Sequence, residues 1–313
     1  MRSAILFSTE WLETLLWRET WEHRGLIWAP VITAAVIVLT ALLSTSFTGS
    51  VQIDIDGKER ELFASLAADL SHQRQLFAVW LGALVIPQMI VAMIVLVFYV
   101  LDSLYNERKD RSILFWKSMP VSDAQTVGSK LATALLLVPL WVWLVSMLAS
   151  LVVFVIVSVK LGGTPLAPLA TFHAGTWLAL QLTMLQNVLV AALWYAPIAV
   201  YLLLTSVYAK RSPFLWAVLP PVLLVIFEEV AFNTSMIAGF IANRLFGFFR
   251  ELDLHISSED GDTSASLMRE IARSYEQLGT LDMLAKPDLW FGVAVAAIGF
   301  FAVVRLRRWR DDA

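Results

Sequence analysis

Val79–Leu104 reads VWLGALVIPQMIVAMIVLVFYVLDSL, and its one formal charge is Asp102. A helix needs about 20 mostly apolar residues to cross the hydrocarbon core of a bilayer. This stretch supplies them, and it is not alone. Leu26–Leu43, Leu131–Val159, Trp177–Tyr208, a stretch from Phe214 to at least Val230, and Leu289–Val304 have the same character. The expected fold is all-α: a polytopic integral membrane protein with six transmembrane helices.

Composition agrees. Of the 313 residues, 58% are hydrophobic and 16% are charged. An ordinary soluble domain is about 45–50% apolar and about 25% charged. A soluble fold of this length must still face water with much of its surface, and lipid is the solvent that removes that demand. The net charge of −3 gives no sign of a nucleic-acid partner. The chain has no cysteine, so disulfides, thiolate metal sites and cysteine nucleophiles are excluded. The first apolar stretch begins near Leu26 and is long enough to span, so it reads as a span rather than a cleavable leader.

Trp28, Trp80, Trp177, Trp216 and Trp290 each stand near the start of a span. Indole rings favour the headgroup layer, where one side is apolar and the other wet. Lysine and arginine set the orientation. The segments 1–25, 105–130, 209–213 and 305–313 hold most of the 23 basic residues, although the remaining loops (44–78, 160–176 and 231–288) are longer. The denser side is expected to be cytoplasmic, with the tail RLRRWR (305–310) its clearest marker. Both termini then lie inside, as a multi-pass protein of the bacterial cytoplasmic (inner) membrane.

The chain divides into an N-terminal segment 1–25 and a permease-like body 26–313, with spans at about 26–43, 79–104, 131–159, 177–208, 214–231 and 289–304. In Ser8–His23, Trp11, Leu12, Leu15 and Leu16 recur at helical spacing between Glu10, Glu13, Thr14 and Arg18. This predicts an amphipathic helix lying in the inner interface, or packed on protein. The outer segment 231–288 opens with 232–249, apolar but interrupted by Asn233, Asn243 and Arg244. It either extends the fifth helix or re-enters the membrane as a broken hairpin, which is allowed only where the backbone is buried in protein or lines a wet cavity. An acidic linker, SSEDGD (257–262), and a short helix over Ser266–Leu284 follow.

The loop 105–130 carries the strongest signal. From Leu104 to Leu131 it reads LYNERKDRSILFWKSMPVSDAQTVGSKL. Glu107–Arg111 is a run of charges. Ile113–Trp116 is an apolar, aromatic knot too short to span. Pro120 stops that helix, because proline lacks the N–H donor and clashes with the preceding turn. Ser122 and Gln125 have the spacing of a capping box that starts the next helix. A short amphipathic helix at the membrane surface suits docking of a soluble partner, or simply anchors the loop.

Here the chain resembles the permeases of type 2 ABC exporters. Those carry, in this place, a loop of the form ER-x-x-G-T-L-x-x-L-L-x-x-P-V-S ending in G-K. Glu107, Arg108, Ser112, Ile113, Pro120, Val121, Ser122 and Lys130 stand in matching register; Arg111 replaces the usual Gly and Leu114 the usual acidic residue. The layout is similar too: an N-terminal interfacial (elbow) helix, six spans and an interrupted apolar segment before the last. The resemblance implies that the loop is a cytoplasmic coupling helix. It docks on a separate ATP-binding subunit through Glu107, Arg108, Arg111, Ser112, Ile113, Phe115 and Trp116. ATP and Mg would be held by that subunit, since Gly128-Ser129-Lys130 lacks the preceding glycine of a phosphate loop. The chain would then be no enzyme, bind no cofactor itself, and pair with a second copy or a paralogue, a homodimer in the simplest case. The implied function is the transmembrane subunit of an exporter. The alternative is a membrane scaffold or assembly subunit of an ABC-type maturation system, acting through periplasmic partners.

Charged side chains within a span cost roughly 2.5–3.5 kcal/mol each on insertion scales. Glu228 and Glu229 therefore mark either a polar element of the translocation path or a helix end meeting water. Gln186 and Asn187, with Gln181 and Gln88, either line that path or bond a neighbouring helix. His23, His72, His173 and His255 form no H-E-x-x-H pair, so no metal site is expected. No G-x-S-x-G elbow is present.

Overall fold

The computed structural model describes residues 9–43, 70–113, 118, 121–160, 174–251 and 280–309. Among these, every regular element is helical. In chain order they are α1 (Thr9–Glu22), α2 (Gly25–Leu43), α3 (Leu70–Lys109), α4 (Asp123–Ala132), a π turn (Thr133–Leu137), α5 (Val138–Lys160), α6 (Ala174–Tyr208), α7 (Pro213–Phe232), α8 (Met236–Glu251), a 3-10 turn (Thr280–Ala285) and α9 (Pro287–Trp309).

Among the described residues, six helices are long and apolar enough to cross a membrane: α2, α3 from Leu84, α4 through α5 as one rod, α6, α7 and α9. The rod α4–α5 begins eight residues ahead of the expected third span at 131. Its first turn is amphipathic and belongs to the polar end of the bundle. Likewise α9 continues to Trp309 rather than ending at Val304, because its arginines remain helical and find partners there.

The start of α4 is built as its sequence predicts. The backbone N–H of Gln125 donates to Ser122 Oγ at 3.2 Å, and the N–H of Ser122 donates to Gln125 Oε1 at 2.9 Å. Two donors left over by the helix start are thereby satisfied. At the other end of the rod, Lys160 Nζ donates to the carbonyl of Ala41 at 3.0 Å and to that of Leu42. A cation thus meets the carbonyl end of α2, where the helix dipole favours it.

The core lies where α6 packs along α9 and α3. Tyr99, Val100 and Leu104 of α3, Leu203 and Val207 of α6, and Val303 of α9 are buried together with Leu26. A second, smaller cluster gathers Val190 and Trp194 of α6, Phe248 of α8, Met283 and Leu289. Between α3 and α5, Ser146 Oγ donates to Gln88 Oε1 at 2.9 Å inside the bundle. That is the helix-bonding role for an intramembrane amide. Among the described residues, the outward faces of the spans carry many large apolar side chains; Trp28, Trp216 and Trp290 stand exposed near the starts of their spans.

The segment after α7 is a separate helix, not an extension. Asn233 adopts a left-handed backbone (φ 52°) and ends α7. Asparagine tolerates this conformation better than most residues. The chain then doubles back. The indole N–H of Trp194 donates to the carbonyl of Arg244 at 3.0 Å, and the Tyr195 hydroxyl donates to that of Leu245 at 3.1 Å. So α8 lies against α6. The expected helix over Ser266–Leu284 and the acidic linker fall largely outside the described residues, whose last turn before α9 is 3-10.

Candidate functional site

At the end of the bundle bearing α1, four helices meet through ionised side chains. Glu19 (α1) and Lys130 (α4) are 0% and 1% exposed, and Lys130 Nζ lies 3.0 and 3.2 Å from the two carboxylate oxygens. The Tyr99 hydroxyl (α3) donates to the same carboxylate at 2.8 Å, and Arg18 donates to it at 2.8 Å. Glu107, in the last turn of α3, is the second hub. Lys130 lies 3.1 Å from it, Arg18 3.3 Å and Arg307 of α9 2.9 Å. Arg307 also reaches Asp123 at 3.4 Å. Glu19, Glu107 and Asp123 are thus matched by Arg18, Lys130 and Arg307. A buried ion costs several kcal/mol in lost hydration; sharing each charge among several partners is what offsets that here.

Burial alone would raise the Glu19 carboxyl. The charges of Lys130 and Arg18, and the hydrogen bonds from Lys130 and Tyr99, outweigh burial and hold it below its ordinary value. His23 follows Glu19 by one turn, its ring edge-on to Tyr99 at 4.9 Å. Burial is the largest influence on His23 and lowers it; Glu19 opposes, Lys130 adds, and the net shift is downward. Glu19, Glu22 and His23 have ligand atoms within 4.8 Å of one another. The Glu19 oxygens already accept from Lys130, Tyr99 and Arg18, so the trio reads as the edge of the ion cluster.

The loop residues divide by orientation. Glu107, Arg108 and Ile113 are buried, Ser112 is half-buried and Arg111 is exposed. Arg108 points into the bundle and donates to the carbonyls of Ser206 and Ala209 at 2.7 and 2.8 Å, closing the C-terminal end of α6. Arg111 takes a left-handed backbone (φ 55°) just past the end of α3. Glycine is the residue that adopts this conformation without a Cβ clash, so an arginine here carries backbone strain. Phe115, Trp116 and Pro120 lie outside the described residues.

At the opposite end, Glu228 and Glu229 part company. Glu228 is buried and caps α8: its carboxylate accepts from the amides of Met236 (2.8 Å) and Ile237 (2.7 Å) and from Thr234 Oγ1 (2.8 Å). Glu229 is exposed. Gln186 and Asn187 are half-buried on α6. Of the two carboxylates, Glu228 thus turns inward to the start of α8 and Glu229 turns outward. Nearby, the Arg244 guanidinium lies 4.6 Å from the centroid of the Trp194 ring and donates to the carbonyl of Asp288 at 3.3 Å.

Sequence reasoning missed the partners Glu19, Tyr99, Asp123 and Arg307. The available signal was weak: a lysine at the mouth of a span, and an acid one turn beyond Leu15 on the face of α1 that turns inward. Amphipathic α1 has two uses. Leu15 and Glu19 are buried toward α4, while Trp17 and Trp21 on another face are 62% and 69% exposed.

Fold and site together define a multi-pass α-helical membrane protein whose polar end is locked by a buried ion cluster. No protein-family model matches the chain, and comparison with curated proteins gives no match.

Proposed function

We propose that this chain is the membrane subunit of an ABC exporter, forming the translocation path and driven by a separate ATP-binding subunit that docks on the loop 105–130. The observation that carries this is the clamp on Glu107. Arg18, Lys130 and Arg307 hold it from α1, α4 and α9. A push on the loop would therefore reach α1, α3, α4 and α9 together, which is the mechanical need of a subunit driven from outside the membrane. In this account Glu107, Arg108 and Ile113 anchor the loop. Arg111, Ser112, Phe115 and Trp116 would meet the partner.

The same reading puts α1, the loop and the tail of α9 in the cytoplasm of a bacterial inner membrane, in keeping with the positive-inside bias. It leaves ATP and Mg to the partner and pairs the chain with a second copy or a paralogue. The test is co-expression with candidate ABC ATP-binding subunits of the source organism. The complex should co-purify and hydrolyse ATP faster than the free ATPase. A Trp116→Ala/Arg111→Glu variant should fold, span the membrane and lose both properties. Retention of stimulation by that variant would refute the docking site.

A further inference from the structure

Helix α6 ends at Tyr208 and α7 begins at Pro213. Ala209 and Pro213 are buried, so the crest of the turn between them is Lys210, Arg211 and Ser212, all exposed. The ordinary local uses of such residues are closed off here. Basic residues just past a helix commonly serve its last carbonyls. Arg108 already takes those of Ser206 and Ala209, at 2.7 and 2.8 Å. A serine opening a helix commonly accepts from an amide of the first turn. Ser212 has a left-handed backbone (φ 41°) and its side chain caps nothing. None of the three side chains has a hydrogen bond or ion pair among the described residues; Asp110, exposed just past α3, pairs with none of them.

Three consecutive donors are therefore offered outward: an ammonium, a guanidinium and a hydroxyl. They suit a phosphate, whose oxygens accept from a guanidinium as a matched pair and from the other two singly. Aromatic rings fix the height of the turn. Tyr208 of α6 and Trp216 of α7 are exposed and meet edge to face at 5.4 Å. Phenol and indole rings favour the headgroup layer, so the donors between them lie at the level of lipid phosphates. Phe214 of α7 stacks on Phe98 of α3 at 6.1 Å, and both are exposed. Three helices thus supply apolar rings below the crest. An acidic protein segment would match the charge alone; to reach it, the segment would have to lie among the headgroups.

We propose that the crest 210–212 holds the phosphate of an anionic phospholipid, with Tyr208 and Trp216 flanking the lipid below it. This does not depend on the docking of an ATP-binding subunit. The test is native mass spectrometry of the full chain taken from bilayers of equal parts phosphatidylglycerol and phosphatidylcholine. Wild type should retain phosphatidylglycerol roughly tenfold over phosphatidylcholine, as two juxtamembrane cations can supply. Lys210→Gln/Arg211→Gln should abolish the preference. Arg211→Gln alone, which guards against misfolding of the pair, should reduce it to about threefold. Lys210→Arg/Arg211→Lys keeps both charges and should keep the preference. Arg24→Gln, at an exposed basic residue between α1 and α2, should leave it intact. Equal retention of the two lipids overturns the proposal, as does an unchanged preference in the Gln variants or an equal loss in Arg24→Gln. Displacement of the lipid by inorganic phosphate would overturn it in favour of a free-anion site. Loss of a co-purifying ATP-binding subunit from the double Gln variant, with lipid retention unchanged, would assign the crest to a protein instead.

Discussion

Lys130 Nζ sits between the two carboxylate oxygens of Glu19, at 3.0 and 3.2 Å, and neither side chain is more than 1% exposed. The pair joins α1 to the rod that begins with α4. Removing one member strands a charge, so Lys130→Met should cost about 3–5 kcal/mol of stability. Lys130→Met/Glu19→Gln should cost less than the two single changes added together, because the second change removes the stranded charge. Thermal melts of the detergent-solubilised protein would measure this; simple additivity would mean the two residues are not coupled.

Acid should weaken the cluster in two stages. His23 has a folded pKa below its unfolded value of 6.5. The unfolded chain therefore takes up its proton first, and stability falls as pH drops below that value. Glu19 has a folded pKa below its unfolded value of 4.5, so its contribution is full above 4.5 and is lost as pH falls through the folded pKa. Melting temperature should decline from pH 7 toward pH 5, and His23→Gln should flatten that part of the curve. A decline of equal slope in the variant would remove His23 from the account.

Arg111 holds a left-handed backbone that a residue with a Cβ adopts at a cost of roughly 1–2 kcal/mol. Arg111→Gly should therefore raise stability, by about 0.5–1 kcal/mol once the greater freedom of glycine in the unfolded chain is set against it. A lower melting temperature would mean that the exposed guanidinium contributes more than the strain costs.

Glu228 closes the corner between α7 and α8. Glu228→Ala should free the amides of Met236 and Ile237 and cost about 0.5–2 kcal/mol, as other helix caps do. Hydrogen exchange at 236–240 should quicken, while Glu229→Ala leaves it unchanged. Equal exchange in the two variants would remove the cap.

Gly292 leaves room for Arg244: a Cβ there would run into the Arg244 guanidinium. Gly292→Ala should push the guanidinium off Trp194 and cost about 0.5–1 kcal/mol, the worth of that cation–π contact. The same change made in Arg244→Ala should cost far less. Equal costs in the two backgrounds would show that the crowding is not between these residues.

The spans were legible because crossing a bilayer needs only a local run of apolar residues, as in Val79–Leu104. The start of α4 was legible for a similar reason, since Ser122 and Gln125 are three residues apart. Glu19 and Lys130 are separated by 111 residues, and no periodicity connects them. Their pairing depends on how α1 folds back beneath α4. The break at Asn233 was half legible. The polar residue was visible, but not that it would turn left-handed and end α7, nor that the Glu228 carboxylate would cap a new helix at Met236. The loop showed its charges but not their direction. Glu107 and Arg108 read as a partner-facing pair, yet both turn inward, because the carbonyl end of α6 and the cations around Glu107 await them there.

The central claim is that the loop 105–130 faces the cytoplasm and there meets an ATP-binding subunit. The chain has no cysteine, and Ser118 is an exposed loop residue, so Ser118→Cys provides a single reporter. In intact spheroplasts a membrane-impermeant maleimide should leave it unlabelled. Opening the membrane should label it, and the co-expressed ATP-binding subunit should protect it. Labelling from outside intact cells would contradict both the orientation and the function built on it.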